Sequence, residues 1–517
     1  MRKAKRLYPH QEEGRRRALK EPFFALFMDQ GTGKTAVAIT TTVKRYKRDQ
    51  VHRIVVFAPN NLLYNWTLEI ADWAGLPPDQ LKVLRLKGKG KENWAKQIAS
   101  FLEYDPEFTS LSQLRDRGWK GTKKEYVRKS KSPLMILLLN YEKARILEPQ
   151  LRRMKIQGLI IDESQRVKSR NAQVSKAIYR VTRKCDSRLL MSGTPVGKGY
   201  EDLFMQYKIM DSDIFGEDYR DFEERYIRKG GYMGKEIVGY QHLNELQRIV
   251  ADTSYRVELD DCVELPDLST RYLTCELAGE ALRAYNELYE DLYTQIPLEA
   301  TRSRLKAILR MNDIPYSPRE TYLSLLVKAE PYLNVSSCEL TVTKLIRLQQ
   351  LTGGHLHLDS GELVPLGRAK LDLAIEYLRD RELPTVIFCN YVEEIRMLER
   401  ELSKAFPKRK VVNYRDARDK DKEKVQDQFQ AGKIDILILQ IHSGSTGLNL
   451  QRSNAVVFYS INRSADDYLQ AISRIKRQGQ TRAMEVVMLL CEDTVDEDIY
   501  EGTRAKLKLM KRLWKKS

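Results

Sequence analysis

The sequence predicts an α/β fold of two tandem lobes, each built on a parallel sheet, with a helical insertion between them. Three observations lead there. Short apolar runs rich in β-branched and aromatic residues recur, each ends in a polar loop, and amphipathic stretches separate several of them. This rhythm breaks near residue 200, gives way to charged helical sequence as far as about residue 366, and then resumes. At 517 residues, the chain also exceeds one ordinary core and fits two large domains or about three smaller ones.

The first lobe is expected over residues 1–210. Its strands are "FFALFMD" (23–29), "RIVVFAP" (53–59), "PLMILLLNY" (133–141), "GLIIDES" (158–164) and "RLLMSGTP" (188–195), with helical sequence such as "YEKARILEPQLRRM" between them. A parallel sheet of this kind binds ligands at the carboxyl ends of its strands. Residues of about 85–131 form a basic insertion, with "LKGKGKENW" and "RGWKGTKKEYVRKSK". It is either a nucleic-acid contact, with Trp94, Trp119 and Lys123 as candidates, or a solvated loop. Residues 211–366, typified by "AGEALRAYNELYEDLYTQI", read as helical protrusions and a linker. The second lobe, 367–517, holds "PTVIFCNY" (384–391), "KVVNYRD" (410–416), "IDILILQI" (434–441), "NAVVFYS" (454–460) and "MEVVMLLCED" (484–493), and closes on a basic helix.

Composition narrows the function classes. Lys and Arg outnumber Asp and Glu by 89 to 71, a net charge of +18, which favours a polyanionic partner. Six dispersed cysteines form no CxxC, so neither a zinc site nor a disulfide framework is expected. The chain then belongs in a reducing compartment: cytoplasmic in a prokaryote or a virus-infected host cell, nuclear in a eukaryote. His355 and His357 lack cysteine partners and read as ordinary residues. The basic N-terminus has no apolar region after it, and no apolar run approaches roughly 18 residues, so neither signal peptide nor membrane span is expected.

"MDQGTGKT" (28–35) lies between a predicted strand and a predicted helix. Its glycines, Gly31 and Gly33, let the backbone around Thr32 curl so that N–H groups face phosphates. Lys34 then reaches the β/γ-phosphates and the Thr35 hydroxyl offers a Mg²⁺ ligand. Position 28 carries Met where the full phosphate-loop pattern has Gly. "LIIDES" places Asp162, a second Mg²⁺ ligand, and Glu163, able to polarise an attacking water, just beyond a buried strand. The two motifs together predict ATP hydrolysis. In "QAISRIKRQGQ" (470–480), Arg474 and Arg477 are read as sharing one helix face, with Lys476 pointing elsewhere. Phosphoryl transfer commonly recruits such arginines.

In order along the chain, these residues resemble the motifs of helicase superfamily 2, most closely the Swi/Snf-like DNA translocases. "LYPHQ" resembles the adenine-reading motif, which implies that Gln11 holds the base. "MDQGTGKT", "VVFAPNNLLYNWTLEI", "LLNYEKAR", "LIIDESQRVKSR" and "RLLMSGTP" resemble motifs I, Ia, Ib, II and III. "VIFCNY", "QIHSGSTGLNLQ" and "DYLQAISRIKRQGQT" resemble motifs IV, V and VI, the last with the family's R-x-GQ ending. The enlarged gap between motifs III and IV also matches.

The resemblance implies two RecA-like lobes and ATP with Mg²⁺ as cofactors. It implies catalytic roles for Lys34, Asp162, Glu163, Arg474 and Arg477, and a supporting role for Gln470. Coupling falls to Gln165, Ser192 and Thr194, although Gln165 stands where the family usually has His and Ser192 where it usually has Thr. Pro59, Asn60, Tyr141, Ser443, Gly444 and Thr446 fall in the motifs that contact nucleic acid. The implied partner is double-stranded DNA, gripped by its backbone without sequence preference by a monomeric motor, with a further protein open as the source of specificity. The expected form is a minimal core without accessory reader domains. Two other readings stay open: a helicase that separates strands or remodels branches in DNA or RNA, and a nucleic-acid-binding scaffold whose ATPase has decayed.

Overall fold

The computed structural model describes residues 6–116, 120–129, 132–230, 236–295, 306, 309–310, 325, 339–357, 363–417, 419–444 and 448–514. The chain divides into two compact units. The first comprises Met1–Val196, Tyr200–Glu223 and Asn244–Cys262; the second comprises Gly197–Gly199, Glu224–Leu243 and Val263–Ser517.

The strands of the first unit are β1 (Phe23–Met28), β2 (Arg53–Phe57), β3 (Leu81–Arg85), β4 (Leu134–Leu139), β5 (Gly158–Asp162) and β6 (Ser187–Met191). A short hairpin, β7 (Ile227–Gly230) with β8 (Glu236–Tyr240), precedes β9 (Ser254–Val257), which belongs to the first unit's sheet. That sheet has seven parallel strands in the order β3-β4-β2-β5-β6-β1-β9. Its central strands are buried along their whole length, as continuous apolar runs covered on both faces require. Tyr46, Trp66, Phe24 and Ile70 pack the helices onto it.

The second unit contains β10 (Leu268–Cys275), the pair β11 (His355–His357) and β12 (Leu363–Pro365), then β13 (Thr385–Cys389), β14 (Val411–Asn413), β15 (Ile436–Gln440), β16 (Ala455–Phe458) and β17 (Met484–Cys491). Its main sheet is again wholly parallel, ordered β10-β17-β16-β13-β15-β14. Two parallel-sheet lobes are therefore observed, as the sequence led one to expect.

In sequence, residues 211–366 include the helices Leu243–Thr253, Gly279–Gln295 and Glu339–Thr352. The same span also holds β9 and β10, which read as non-strand in sequence. Both are sheet edges, where one neighbour is missing and a continuous apolar run is not required. Along β10 most residues are exposed. Among the described residues, no helix is long and apolar enough to cross a membrane, and no group of three or more His, Cys, Asp or Glu is arranged to hold a metal ion.

Strand order sorts the loops at the carboxyl end of the first sheet. Adjacent β3, β4 and β2 carry the basic loop 86–91, the turn at Asn140–Tyr141 and the Pro59–Asn60 turn. Adjacent β5, β6 and β1 carry Asp162–Glu163, Ser192–Thr194 and the glycine loop.

Candidate nucleotide site

The glycine loop leaves β1 at Met28 and enters the helix Lys34–Lys47. Gly31 and Gly33 have φ of 85° and 84°, a left-handed conformation that glycine adopts without the Cβ penalty. A Cβ at position 33 would also lie 2.2 Å from Gln11 Nε2, so this glycine admits the close approach of Gln11. The Gln11 amide donates to Thr32 O at 3.0 Å, and its Oε1 accepts from the Tyr8 N–H at 3.1 Å. Gln11 thus joins the N-terminal segment to the loop. The Thr32 hydroxyl donates to Asp29 O at 2.7 Å, and Thr35 is half-buried in the first turn of the helix.

Lys34 is buried, and its ammonium donates to Met28 O at 2.7 Å and Asp29 O at 3.0 Å. Burial lowers its pKa, against the pull of the Glu163, Asp162 and Asp29 carboxylates. Motifs I and II are therefore electrostatic neighbours within one unit. Asp162 is buried too; desolvation first and the Glu163 charge second push its pKa up to about 7. The hydroxyl of Thr35 and the carboxylate of Asp162 are hard oxygen donors, and a divalent cation would offset the charge that burial penalises. This donor set fits Mg²⁺.

Two side chains that carried no catalytic role in the sequence reading hold the acidic pair. The Trp66 indole N–H donates to Asp162 Oδ2 at 2.9 Å, and the Tyr141 hydroxyl donates to Asp162 O and, at 3.3 Å, to Glu163 O. Trp66 is 2% exposed and Tyr141 5%. Tyr141, expected among the nucleic-acid contacts, thus has its hydroxyl beneath the acidic loop rather than in solvent. No local pattern announces either contact, because both partners lie far away in sequence.

Glu163 sits at φ 59°, a strained backbone for a non-glycine residue and of the sort that gathers at functional sites. Gln165 Nε2 donates to Glu163 Oε2 at 2.8 Å, and Ser192 Oγ donates to Gln165 Oε1 at 2.7 Å. The Thr194 N–H then donates to Ser192 Oγ at 2.9 Å. The three residues expected to couple motifs II and III form one hydrogen-bonded chain ending on Glu163. Gln165 reaches both neighbours from the position where His is usual in the resembled family. Behind it, Ser164 Oγ donates to Gln206 Oε1 at 2.7 Å, and Gln206 Nε2 donates to Pro195 O at 2.7 Å.

In the second unit, the helix Ala465–Ile472 ends before the two arginines, which corrects the expectation of a shared helix face. Residues 473–479 form successive turns instead. Arg474 is buried, with Nε donating to Gln470 O at 2.9 Å and Nη1 to Leu448 O at 3.1 Å. Arg477 is partly exposed; its Nε donates to Ser473 O at 3.0 Å, and burial lowers its pKa to about 10, which leaves it charged at neutral pH. The turns that follow the helix are anchored by the R-x-GQ ending. Gly479 takes φ 96°, and Gln480 Nε2 donates to Gln451 O at 3.0 Å and Ser453 O at 2.9 Å. The GQ pair thus anchors motif VI to the end of motif V. Gln470 Oε1 is buried without a hydrogen-bond partner among the described residues.

Of the other expected nucleic-acid contacts, Pro59 is buried and Asn60 exposed. Ser443 and Gly444 lie in the helix Ile441–Gly444, but their side chains and all of Thr446 fall outside the described residues, as does Trp119. Trp94 and Lys123 are described. The Lys143 ammonium lies 4.9 Å from the ring of Trp94, in the helix Lys91–Leu102 that follows the basic loop, which ties that helix to motif Ib by a cation–π contact.

Comparison with known families matches residues 24–321 to the SNF2-related domain and residues 369–479 to the helicase conserved C-terminal domain. Among curated relatives, the CHD3-type chromatin-remodeling factor PICKLE of Arabidopsis thaliana is 22% identical, over 97% of this chain and 34% of its own length. The DNA repair and recombination protein RAD54-like of Danio rerio is 22% identical, over 96% of this chain and 66% of its own. The human DNA annealing helicase and endonuclease ZRANB3 is 28% identical, over 55% of this chain and 24% of its own. The chain thus spans between about a quarter and two-thirds of the length of these relatives. Among solved structures, the Sulfolobus solfataricus SWI2/SNF2 ATPase core in complex with dsDNA is 19% identical, covering 98% of this chain and 93% of that one, with a TM-score of 0.39.

Proposed function

The chain belongs to the SNF2-related family and is a helicase-like ATPase core, and from that premise we propose that it is a DNA-stimulated motor that translocates on double-stranded DNA. The observation that carries the proposal is the hydrogen-bonded chain Glu163–Gln165–Ser192–Thr194. It joins the residue that would orient the attacking water to the loop after β6. That loop lies at the same sheet end as the turns expected to meet a phosphate backbone.

Each residue has a chemical task in this reading. The glycine loop and the N-terminus of the helix Lys34–Lys47 present N–H groups to the phosphates. Lys34 exchanges its carbonyl partners for the β/γ-phosphates, and Glu163 holds the attacking water. Thr35 and Asp162 hold Mg²⁺, which when bound screens the phosphate charge. Gln11 reads the base. Arg474 and Arg477 serve the charge that develops on the γ-phosphate, and Gln470 offers its unpaired acceptor to a donor in the nucleotide-bound state. Tyr141 is assigned to positioning the acidic pair.

Duplex contact is assigned to Pro59, Asn60, Ser443, Gly444 and Thr446, joined by the basic loop 86–91. Such contacts grip backbone rather than base edges, so affinity should fall steeply with salt and vary little with sequence. The strand-separating alternative, in DNA or RNA, would need a wedge element, and none is recognised among the described residues.

The test is ATP turnover measured without nucleic acid and with duplex DNA, single-stranded DNA or RNA. Stimulation chiefly by duplex DNA supports the proposal. Stimulation chiefly by single strands or RNA favours the helicase reading, and no turnover under any condition favours the decayed scaffold.

A further inference from the structure

Arg256 belongs to none of the motifs discussed above, yet its guanidinium spans three neighbouring strand ends of the first sheet. It sits on the edge strand β9, and the order β6-β1-β9 places β1 between it and β6. Nη2 pairs with Asp29 Oδ1 at 2.8 Å, while Nη1 donates to Phe27 O and to Gly193 O, both at 3.2 Å. One side chain therefore contacts the end of β1, the first residue of the glycine loop and the glycine of motif III.

Asp29 is held from the same side by backbone. Its N–H donates to Val257 O at 3.0 Å, and its Oδ2 accepts from the Leu259 N–H at 3.3 Å. Its carbonyl oxygen in turn accepts from Lys34 Nζ at 3.0 Å and from the Thr32 hydroxyl at 2.7 Å. Asp29 is thus the shared pivot, gripped on one side by β9 and Arg256 and gripping on the other the lysine and threonine of the loop. The motif III contact is close as well, since a Cβ at Gly193 would lie 3.5 Å from Met28 O and 3.7 Å from Gln30 N. Position 28 of this loop carries Met in place of the usual first glycine, and Met28 is the last residue of β1, paired with Val257 of β9.

We propose that Arg256 is a positioning residue for ATP: its clamp on Asp29 and Gly193 presets the glycine loop in its binding form and joins it to motif III. The proposal rests on the ATPase reading given above. The Arg256 and Asp29 side chains are partly exposed, so the ion pair itself adds little to folding. Its loss should instead appear when the loop must hold phosphate.

The experiment compares wild type with Arg256→Ala, Arg256→Lys, Asp29→Asn and the double variant Arg256→Ala/Asp29→Asn. Steady-state ATP turnover on duplex DNA, equilibrium binding of a fluorescent ATP analogue and nucleotide-free melting are measured on each. Arg256→Ala should raise KM for ATP and weaken analogue binding roughly tenfold, with kcat at saturating ATP within about threefold. Its melting temperature should stay within about 3 °C of wild type. Asp29→Asn should mimic it, the double variant should be no worse than either single one, and Arg256→Lys should recover part of the affinity through Asp29. If Arg256→Ala does not fold, the Lys and Asn variants carry the same KM comparison.

Unchanged KM, a fall in kcat alone, or additive effects in the double variant would overturn the clamp. A wild-type chain that turns over no ATP defeats the ATPase reading instead. Wild-type turnover with an indifferent Arg256→Ala defeats the clamp alone.

Discussion

Replacing Gln165 by Ala cuts the link between motifs II and III at its centre. The substitution removes the 2.8 Å bond to Glu163 Oε2 and leaves the Ser192 hydroxyl without the acceptor it now holds at 2.7 Å. Gln165 is 7% exposed and Ser192 is fully buried, so bulk water does not replace these partners freely. A bond to a charged group is worth about 1.5–3 kcal/mol and a neutral one about 0.5–1.5 kcal/mol. Together they set a ceiling of roughly 4.5 kcal/mol on the loss, and a water entering the space left by the side chain lowers it. If the charged bond alone orients Glu163, its 1.5–3 kcal/mol corresponds to roughly 10–150-fold in kcat. The assay is ATP turnover with and without duplex DNA, read as both kcat and the ratio of the two rates. Gln165→Ala should lower kcat within that range and move the ratio toward one, because Ser192 and Thr194 no longer reach Glu163. Gln165→His, which keeps a donor and an acceptor, should recover much of both. A folded Gln165→Ala protein with wild-type kcat and stimulation would refute the coupling role.

Three other substitutions probe separate parts of the molecule. Trp66→Phe removes the indole donor from Asp162 and should lower kcat/KM for ATP by about tenfold or more, since the lost bond serves a buried carboxylate; an unchanged kcat/KM in folded protein would detach the indole from the site. Arg477→Ala should reduce kcat by roughly 10³ while duplex binding without nucleotide survives, and wild-type turnover would return this residue to a solvent-facing role. Glu394 tests pH dependence in the second unit. Burial raises its pKa from 4.5 to about 7, opposed by the Ser460 hydroxyl, the Tyr391 N–H and the Lys370 charge, with Asp496 adding to the rise. The folded state therefore holds a proton that the unfolded chain releases, and stability should fall as pH climbs from about 4.5 to 7 and then level off. Glu394→Gln should flatten that slope in melting curves, and an undiminished slope would assign it to another group.

The parts of the fold legible in sequence were those whose residues face protein on both sides. β1, β2, β4, β5 and β6, and likewise β13, β15, β16 and β17, are apolar runs because burial leaves them no alternative. In the two main sheets, the strands that escaped notice, β3, β9 and β10, are sheet edges with mostly half-buried or exposed residues, although the edge strand β14 was legible; the hairpin strands β7, β8, β11 and β12 escaped as well. The residues around the glycine loop and the acidic pair were readable because phosphate chemistry demands fixed types at fixed spacing. Trp66, Tyr141 and Arg256 were not, since their roles arise from contacts between segments that only the folded sheet brings together. The arginine turn was misread as helix for a related reason. Gly479 at positive φ and the Gln480 anchor hold the chain in turns there, and the three-residue separation of Arg474 and Arg477 conceals both.

The most direct test of the central claim is displacement of a third strand from a triplex whose duplex tracks extend to one side. Translocation along the duplex predicts ATP-dependent release of the third strand while the duplex beneath stays paired, with no release from Lys34→Ala protein. Separation of the duplex strands, or ATP hydrolysis on duplex DNA with no displacement, would contradict translocation along double-stranded DNA.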